Sequence, residues 1–385
     1  MRAYALTDAD VIRVIEGLVF DELMRSDPSS RTRIQDQDWA AGFSLGPDGA
    51  DLDSALIAQC TQAIGAFFAM DGEGAVQFDP HARVSDWAQT VTRHLMQSLL
   101  HLVFRPAGRG KASITYAHRA DTLFQDAAAV ASLLQGRRRM ISLVSPHSLM
   151  GFCVTILVPK LQGIDVIDGR TMVPEDLTQA LAFGDVVVGT PSVWSYMIRE
   201  GISAPDNTMG VTFGEVMSRE LGADMRRKGI GVLREFYGST ETGIVGWRDS
   251  STDRFALFDH FDPSETGLSR HLPNGHSVSV EVMDHLAWEG ERGFTLGGRR
   301  DGAVQIGAVN VFPDWIAAVI TDHDRVERCA VHVAATRNGA NRLVADIHLK
   351  PGIAPNEAIA REIDRHTRGK LAVPERPQIY HFYTE

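Results

Sequence analysis

The stretch whose residue types are best suited to ligand chemistry lies at 237–243 and reads Tyr-Gly-Ser-Thr-Glu-Thr-Gly. It follows the segment 232–236, which predicts a β-strand, so these residues come at the carboxyl end of a strand. A tyrosine ring can stack on a planar base, glycine lets a ligand approach the backbone, and hydroxyl groups can donate to phosphate oxygens. A glutamate offers the hard oxygen that Mg²⁺ prefers. The stretch therefore predicts a site for a nucleotide and its metal ion, with an exposed polar loop as the alternative.

The elements that would position this stretch alternate between strands and helices from residue 101 onward. The predicted strands cover 102–104, 141–144, 163–167, 185–188, 209–213 and 232–236. The predicted helices cover 119–135, 148–161, 174–182, 192–199 and 218–228. Such alternation requires crossover connections and indicates a mostly parallel sheet with helices on both faces. Ligands of such sheets bind beyond the carboxyl ends of the strands, which is where 237–243 is expected.

The two ends of the chain have different patterns. Residues 1–100 are predicted to be mostly helical, with Thr7 or Asp8 capping the first helix, and they carry no catalytic motif, so a structural role is expected. From about residue 273 the pattern indicates short antiparallel strands, and 301–385 reads as a compact α+β unit. We predict an α/β fold with a large N-terminal domain, 1–300, of mostly parallel sheets flanked by helices, and a small α+β C-terminal domain, 301–385.

Composition excludes several classes of protein. The net charge of the 385 residues is 38 − 49 = −11, which would repel the phosphates of nucleic acids and anionic membranes. No run of 18 apolar residues is long enough to span a bilayer, and the N-terminus has no apolar leader. Three widely spaced cysteines form no Cys-x-x-Cys pair, so neither a disulfide framework nor a zinc site is expected. We expect a cytoplasmic protein without nucleic-acid or membrane partners.

Several segments resemble the adenylate-forming superfamily of acyl- and aryl-CoA synthetases, peptide-synthetase adenylation domains and luciferases. The stretch 237–243 resembles the loop that binds adenine and Mg²⁺ in that superfamily. Five other segments resemble its motifs and follow the same order along the chain: Ser145-Pro146-His147 with Gly151, Gly189-Thr190-Pro191, Phe213-Gly214-Glu215, Asp284, and Gly298-Arg299-Arg300-Asp301. The segment 311–319 resembles the start of the small C-terminal domain.

The resemblance implies a site for ATP and Mg²⁺. Asp284 would hold the ribose hydroxyls, with Arg299 donating to them fifteen residues later. Thr240 and Mg²⁺ bound by Glu241 would stabilise charge on the α-phosphate, and Asp301 would belong to the hinge between the domains. The implied cofactor-binding residues are Gly214, Glu215, Tyr237, Gly238, Ser239, Thr240, Asp284 and Arg299.

The resemblance also implies a pocket for a small carboxylic acid. His147 would lie at its mouth, and Phe152, Trp194 and Phe213 would line it. Aromatic residues at such positions also occur as plain core residues, so that alternative stays open.

Two departures from the superfamily pattern affect the predicted catalytic residues. The phosphate loop lacks its hydroxyl residues and reads Arg-Pro-Ala-Gly-Arg-Gly-Lys at 105–111. The C-terminal domain, 301–385, ends before the position of the usual catalytic lysine. We expect Lys111 and Arg109 to supply the missing positive charge at the phosphates, with Arg105 and Arg299 as the other candidates, because an ammonium or guanidinium group can bind phosphate oxygens. A solvated basic turn without this role stays the alternative.

The implied reaction is ATP-dependent formation of an acyl-adenylate, followed by transfer to the phosphopantetheine thiol of CoA or of an acyl carrier protein. Gly-Ile-Val-Gly-Trp-Arg at 243–248 resembles the aryl acid ligases of aryl polyene pigment clusters, which load hydroxybenzoate-like acids onto carrier proteins. Two alternatives remain: a non-catalytic or half-reaction-only member that binds nucleotide or acyl-adenylate, and an adenylate-forming partner of a reductase or amide-forming enzyme.

Overall fold

The computed structural model describes residues 6–26, 31–35, 37–39, 42–71, 78–98, 100–106, 114–249, 254–265, 267–306, 309–335 and 341–384. The predicted catalytic residues Arg109 and Lys111 lie outside these residues. The helices are α1 Asp8–Ser26, α2 Arg31–Gln35, α3 Ser54–Phe67, α4 Val84–Ser98, α5 Ala120–Leu133, α6 Leu149–Phe152, α7 Val158–Gln162, α8 Pro174–Ala180, α9 Pro191–Arg199, α10 Arg219–Arg227, α11 Pro313–Thr321 and α12 Glu357–Lys370.

In the described part of the chain, the strands fall into one large sheet and four small ones. They are β1 His101–Phe104, β2 Tyr116–Arg119, β3 Arg139–Ser142, β4 Asp165–Asp168, β5 Val186–Gly189, β6 Thr208–Thr212, β7 Ile230–Ser239, β8 Gly243–Arg248, β9 Phe255–Leu257, β10 Phe261–Ser264, β11 Gly267–His271, β12 Ser277–Val280, β13 Asp284–Glu289, β14 Gly293–Arg299, β15 Val304–Ile306, β16 Val309–Val311, β17 Val326–Ala335, β18 Asn341–Leu349 and β19 Ile379–Tyr383.

The large sheet, as far as the structure describes the chain, has nine strands in the order β13-β14-β9-β8-β7-β6-β5-β3-β4. Strands β4, β3, β5, β6 and β7 are parallel, whereas β8, β9, β14 and β13 continue the sheet in antiparallel pairs. All residues of β5 and β6 are buried, as expected for parallel strands covered on both faces. The α/β fold class is confirmed, with the parallel half of the sheet as predicted and an antiparallel half added to it.

Local sequence signals explain both the agreements and the differences in this region. The runs that form β3, β5 and β6 are short and apolar, which is typical of buried strands. The predicted strand at 102–104 is β1, but it pairs antiparallel with β2 in a separate hairpin. The predicted helix at 148–161 is interrupted by a π-helical stretch, Cys153–Leu157, between α6 and α7. The short strands β8 to β11 were not predicted, because their residues show no sustained alternation.

Helices α1 to α4 occupy most of the described part of the first hundred residues. The apolar face of α1 is buried, with Val11, Ile15 and Leu23 unexposed, and it belongs to the same core as β5 and β6. Residues of α2, α3 and α4 belong to this cluster as well, so the N-terminal helices share one apolar core with the large sheet. No helix among the described residues is long and apolar enough to cross a membrane.

The C-terminal part has a core of its own. The β15–β16 hairpin, the sheet β17-β18-β19 and helices α11 and α12 enclose residues from Ile306 to Leu371. Strand β19 joins the edge of this sheet parallel to β18. The position of the domain boundary between residues 300 and 301 stays a prediction.

Candidate nucleotide and acid site

A cavity of about 730 Å³ lies at the carboxyl ends of the parallel strands. Segments that follow β3, β5 and β6 line it, together with the β7–β8 turn and the β13–β14 hairpin. Gln305 and Asn310 of the β15–β16 hairpin line it from the C-terminal part. The predicted site residues that line this cavity are His147, Phe213, Gly214, Glu215, Tyr237, Gly238, Ser239, Thr240, Glu241, Asp284 and Arg299. Open parallel sheets bind their ligands at this place.

Tyr237 holds Asp284 at the cavity wall. Its hydroxyl donates a hydrogen bond of 2.7 Å to Oδ2 of Asp284. Its ring packs against the stacked rings of Phe255 and Phe294, at centroid distances of 5.8 and 5.5 Å. Burial, with the nearby charge of Asp284, raises the pKa of Tyr237, so the hydroxyl stays protonated and remains a donor. Because the residue is only 8% exposed, a small part of the ring is available to a base.

The hairpin turn between β7 and β8, residues 239–243, is called the nucleotide turn below. Ser239 and Thr242 close it, because each backbone N–H donates to the other residue's hydroxyl oxygen, at 3.1 and 3.2 Å. Gly243 has a φ of +81°, a conformation that residues with a side chain rarely adopt. Thr240 and Glu241 are therefore presented at the tip of a closed turn, on the cavity.

Arg299 joins the nucleotide turn to the predicted hinge. It donates from Nε and Nη2 to the two carboxylate oxygens of Asp301, at 3.0 and 2.9 Å. Its Nη2 also lies 3.9 Å from Oε1 of Glu241. The antiparallel register places Asp284 directly opposite Arg299, so two predicted ribose contacts that are distant in sequence are neighbours in the hairpin.

The loop after β6 forms another wall of the cavity. Gly214 has a φ of +87°, so this loop requires glycine there. The hydroxyl of Ser192 donates to the carboxylate of Glu215, at 2.9 Å from Oε1 and 2.8 Å from Oε2. This hydrogen bonding connects the loop to the first turn of α9. A ligand therefore meets a loop whose backbone is held in place.

The cavity wall around His147 includes helix α1, which the sequence analysis did not connect with the site. A Cβ on Gly17 would lie 2.4 Å from Oγ of Ser145 and 2.7 Å from Nδ1 of His147, so only glycine allows this approach. Asp21 and Arg25, one and two turns further along α1, line the cavity. The available signal was the spacing of these three residues by four along one predicted helix.

His147 and Arg105 are held by neighbours at this wall. The ring nitrogen Nδ1 of His147 shares a hydrogen bond of 2.6 Å with the hydroxyl of Ser145. Burial lowers the pKa of His147, which favours a neutral imidazole near pH 7. Arg105 forms ion pairs with Asp21, at 3.5 Å, and with Glu22, so its guanidinium is bound to α1.

Two predicted pocket residues are core residues instead. Trp194 is fully buried, and its indole N–H donates to the carbonyl of Val211 at 3.2 Å. Phe152 packs in an aromatic cluster with Phe67 and Phe104, at 6.0 and 5.9 Å. Neither residue lines the cavity, because both face the apolar side of their helices.

Mg²⁺ fits the cavity through a single carboxylate. Among the described residues, no group of three or more His, Cys, Asp or Glu side chains is placed to hold a metal ion. Glu241 lines the cavity beside the hydroxyl residue Thr240, and oxygen donors of this kind suit Mg²⁺, which takes few protein ligands and binds substrate phosphates.

Comparison with known proteins agrees with this arrangement. No family model matches the chain. It is 27% identical over 378 residues to a 4-coumarate–CoA ligase of Halorhodospira halophila, covering 98% of this chain and 96% of the relative. It is 27% identical over 345 residues to a 4-coumarate–CoA ligase of Cereibacter sphaeroides, covering 88% of this chain and 81% of the relative.

Solved structures show the same fold. An amide bond synthetase from Marinactinospora thermotolerans superposes with a TM-score of 0.58 at 15% identity. The match covers 72% of this chain and 64% of the synthetase, which is less than two thirds of the synthetase's length. A malonyl-CoA ligase with methylmalonyl-CoA and AMP bound superposes with a TM-score of 0.55 at 15% identity, over 72% and 70%. The sequence relatives support the resemblance to the adenylate-forming superfamily, and the solved structures agree with its fold. The sequence relatives are named as CoA ligases.

Proposed function

We propose that this protein activates a small carboxylic acid with ATP and joins it to a phosphopantetheine thiol, as an AMP-forming acid–thiol ligase. The observation that carries the proposal is one cavity bordered by the nucleotide turn, by Asp284 opposite Arg299, and by the separate wall around His147. The relatives named 4-coumarate–CoA ligase support CoA as the acceptor and an aryl acid as the substrate.

The first step forms an acyl-adenylate. An oxygen of the acid's carboxylate attacks the α-phosphorus of ATP, the bond between the α-phosphorus and the bridging oxygen breaks, and pyrophosphate leaves. The chain's contribution is to hold two anions together, which removes much of the entropic cost of their encounter. Asp284 accepts from the ribose hydroxyls, and the hydroxyl of Thr240 donates to phosphate oxygen. The guanidinium of Arg299 lies 3.9 Å from Glu241, and Arg299 stands opposite Asp284.

The second step forms the thioester. The thiol loses its proton to solvent, and its sulfur attacks the acyl carbon. The bond from that carbon to the phosphate oxygen breaks, and AMP leaves with the electron pair. Glu241 would hold Mg²⁺, which would neutralise charge on the phosphates of ATP. Arg109 and Lys111 stay our proposed source of positive charge at the phosphates, and Asp301 our proposed hinge residue.

Finer assignments belong to the same proposal. Transfer to an acyl carrier protein, as in aryl polyene pigment ligases, rests on the motif at 243–248, which forms β8. A cytoplasmic location rests on composition. The alternative of a non-catalytic nucleotide-binding member rests on the altered phosphate loop.

ATP–pyrophosphate exchange tests the first step across a panel of hydroxycinnamic, hydroxybenzoic and fatty acids. We expect exchange with at least one aryl acid and little with fatty acids. CoA and a phosphopantetheinylated carrier protein, supplied separately, then identify the acceptor by mass spectrometry of the thioester. Tight AMP binding without exchange for any acid would favour the non-catalytic alternative.

A further inference from the structure

Among the described residues, three side chains that do not line the cavity anchor the nucleotide turn. Nε2 of His118 donates to the carbonyl oxygen of Thr240 at 2.6 Å. The carboxylate of Asp126 accepts the backbone N–H of Ile244 at 3.0 Å. Nη1 of Arg270 lies 3.5 Å from the carbonyl oxygen of Thr242. The backbone is thus held on both sides of Glu241.

Asp126 and Arg270 form a buried pair that does not line the cavity. Asp126 is unexposed and Arg270 is 3% exposed. Nη2 of Arg270 donates to Oδ1 of Asp126 at 2.6 Å and to the carbonyl of Thr122 at 2.7 Å. Nε2 of His260 lies 2.9 Å from the same carboxylate oxygen. The pair therefore joins α5 and β11 to the nucleotide turn.

The space around Gly243 shows how closely this pair approaches the backbone. A Cβ at this position would lie 2.4 Å from Oδ2 of Asp126 and 2.8 Å from Nη1 of Arg270. The pair and the glycine are mutually dependent, because the carboxylate can reach the N–H of Ile244 only over an unsubstituted Cα.

Stability alone does not account for a charged pair at this place. Removing two charges from water is costly, and apolar residues of similar volume often serve a protein core as well or better. A rigid turn, by contrast, has a direct use if Thr240 and Glu241 must meet the phosphates without reorganising.

We propose that Asp126 and Arg270 are positioning residues that fix Thr240 and Glu241 for the phosphates and the metal ion of ATP. This inference rests on the proposed function. It assigns no contact with substrate to either residue, since both act through the backbone at Thr242 and Ile244.

The test compares Asp126→Asn with Asp185→Asn. Asp185 is a matched control because it is 1% exposed and accepts two hydrogen bonds from Arg139, at 2.9 and 2.8 Å, yet it lies just before β5, away from the cavity. Stability is measured by urea unfolding for both variants. Adenylation rates are measured while Mg²⁺, ATP and the acid are varied separately.

We expect Asp126→Asn to raise the Mg²⁺ and ATP concentrations for half-maximal rate at least tenfold, with the half-saturating acid concentration changed less than threefold. Asp185→Asn should lose stability without these changes. Arg270→Lys, which keeps the positive charge, should fall between the wild type and Asp126→Asn, and it serves as the test if Asp126→Asn does not fold.

Amide hydrogen exchange supplies a readout that does not need turnover. Peptides covering 239–244 should exchange faster in Asp126→Asn or Arg270→Lys than in the wild type and Asp185→Asn. Unchanged amide hydrogen exchange would overturn the positioning role. An active variant whose rate depends on Mg²⁺ and ATP as the wild type's does would overturn it as well. A wild type that forms no adenylate contradicts the proposed function instead, and the exchange comparison then decides alone whether the pair holds the turn.

Discussion

Asp284 offers the sharpest test of the nucleotide site, through Asp284→Ala. The carboxylate would accept hydrogen bonds from ribose hydroxyls, and hydrogen bonds to charged groups contribute about 1.5–3 kcal/mol. Binding of AMP should therefore weaken about tenfold to a hundredfold, as measured by isothermal titration calorimetry. Glu289→Ala is the control, because Glu289 is an exposed carboxylate on the same strand, β13.

The same substitution should lower stability for a separate reason. The buried hydroxyl of Tyr237 loses its acceptor at Asp284, and an unsatisfied buried donor costs about 1–3 kcal/mol. Adding Tyr237→Phe removes that donor while the ring can stay packed against Phe255 and Phe294. The double variant should recover most of the free energy of unfolding but none of the affinity for AMP.

Dideoxy nucleotide makes the test specific for the ribose. The wild type should prefer AMP over 2′,3′-dideoxy-AMP, and Asp284→Ala should lose most of this preference. If the variant binds AMP as tightly as the wild type, or discriminates between the two nucleotides equally well, Asp284 does not hold the ribose.

Three further predictions concern the turn, helix α1 and a histidine. Glu241→Gln keeps the shape but removes the metal-binding charge, so adenylation should fall at least tenfold with unchanged unfolding; wild-type turnover would place Mg²⁺ elsewhere. Gly17→Ala should raise the half-saturating acid concentration at least tenfold without changing AMP affinity, whereas Gly65→Ala, a helical glycine with open space around it, should change neither; equal acid dependence would remove α1 from the pocket. Burial lowers the pKa of His118, so the unfolded chain binds more protons below about pH 6.5 and stability falls on acidification, by at most about 1.4 kcal/mol per pH unit for this residue; urea unfolding between pH 7.5 and 5 should show a smaller decrease in His118→Gln, and equal slopes would contradict this.

Features carried by short segments could be predicted. The stretch 237–243 contains the residues of the nucleotide turn, and the facing pair Asp284 and Arg299 belongs to a single hairpin, β13–β14. The apolar runs of β5 and β6 indicated buried parallel strands. In each case neighbours in sequence determine the backbone conformation, so the local pattern is sufficient.

Side-chain direction was harder to predict. Trp194 and Phe152 stand close in sequence to cavity residues, but each lies on the buried face of its helix. Which face of a short helix meets a cavity depends on how the helix packs against the sheet, and an aromatic residue satisfies either environment.

The sequence by itself determined the order of the motifs, the α/β class and the chemistry available at the carboxyl ends of the strands. Only the tertiary structure decided that α1 brings Gly17 against His147 and that Asp126 supports Ile244, 118 positions further along the chain. The physical reason is that these contacts join elements with no local relation. Their geometry is set by the packing of a shared core, and many different residue pairs would be compatible with the same local patterns.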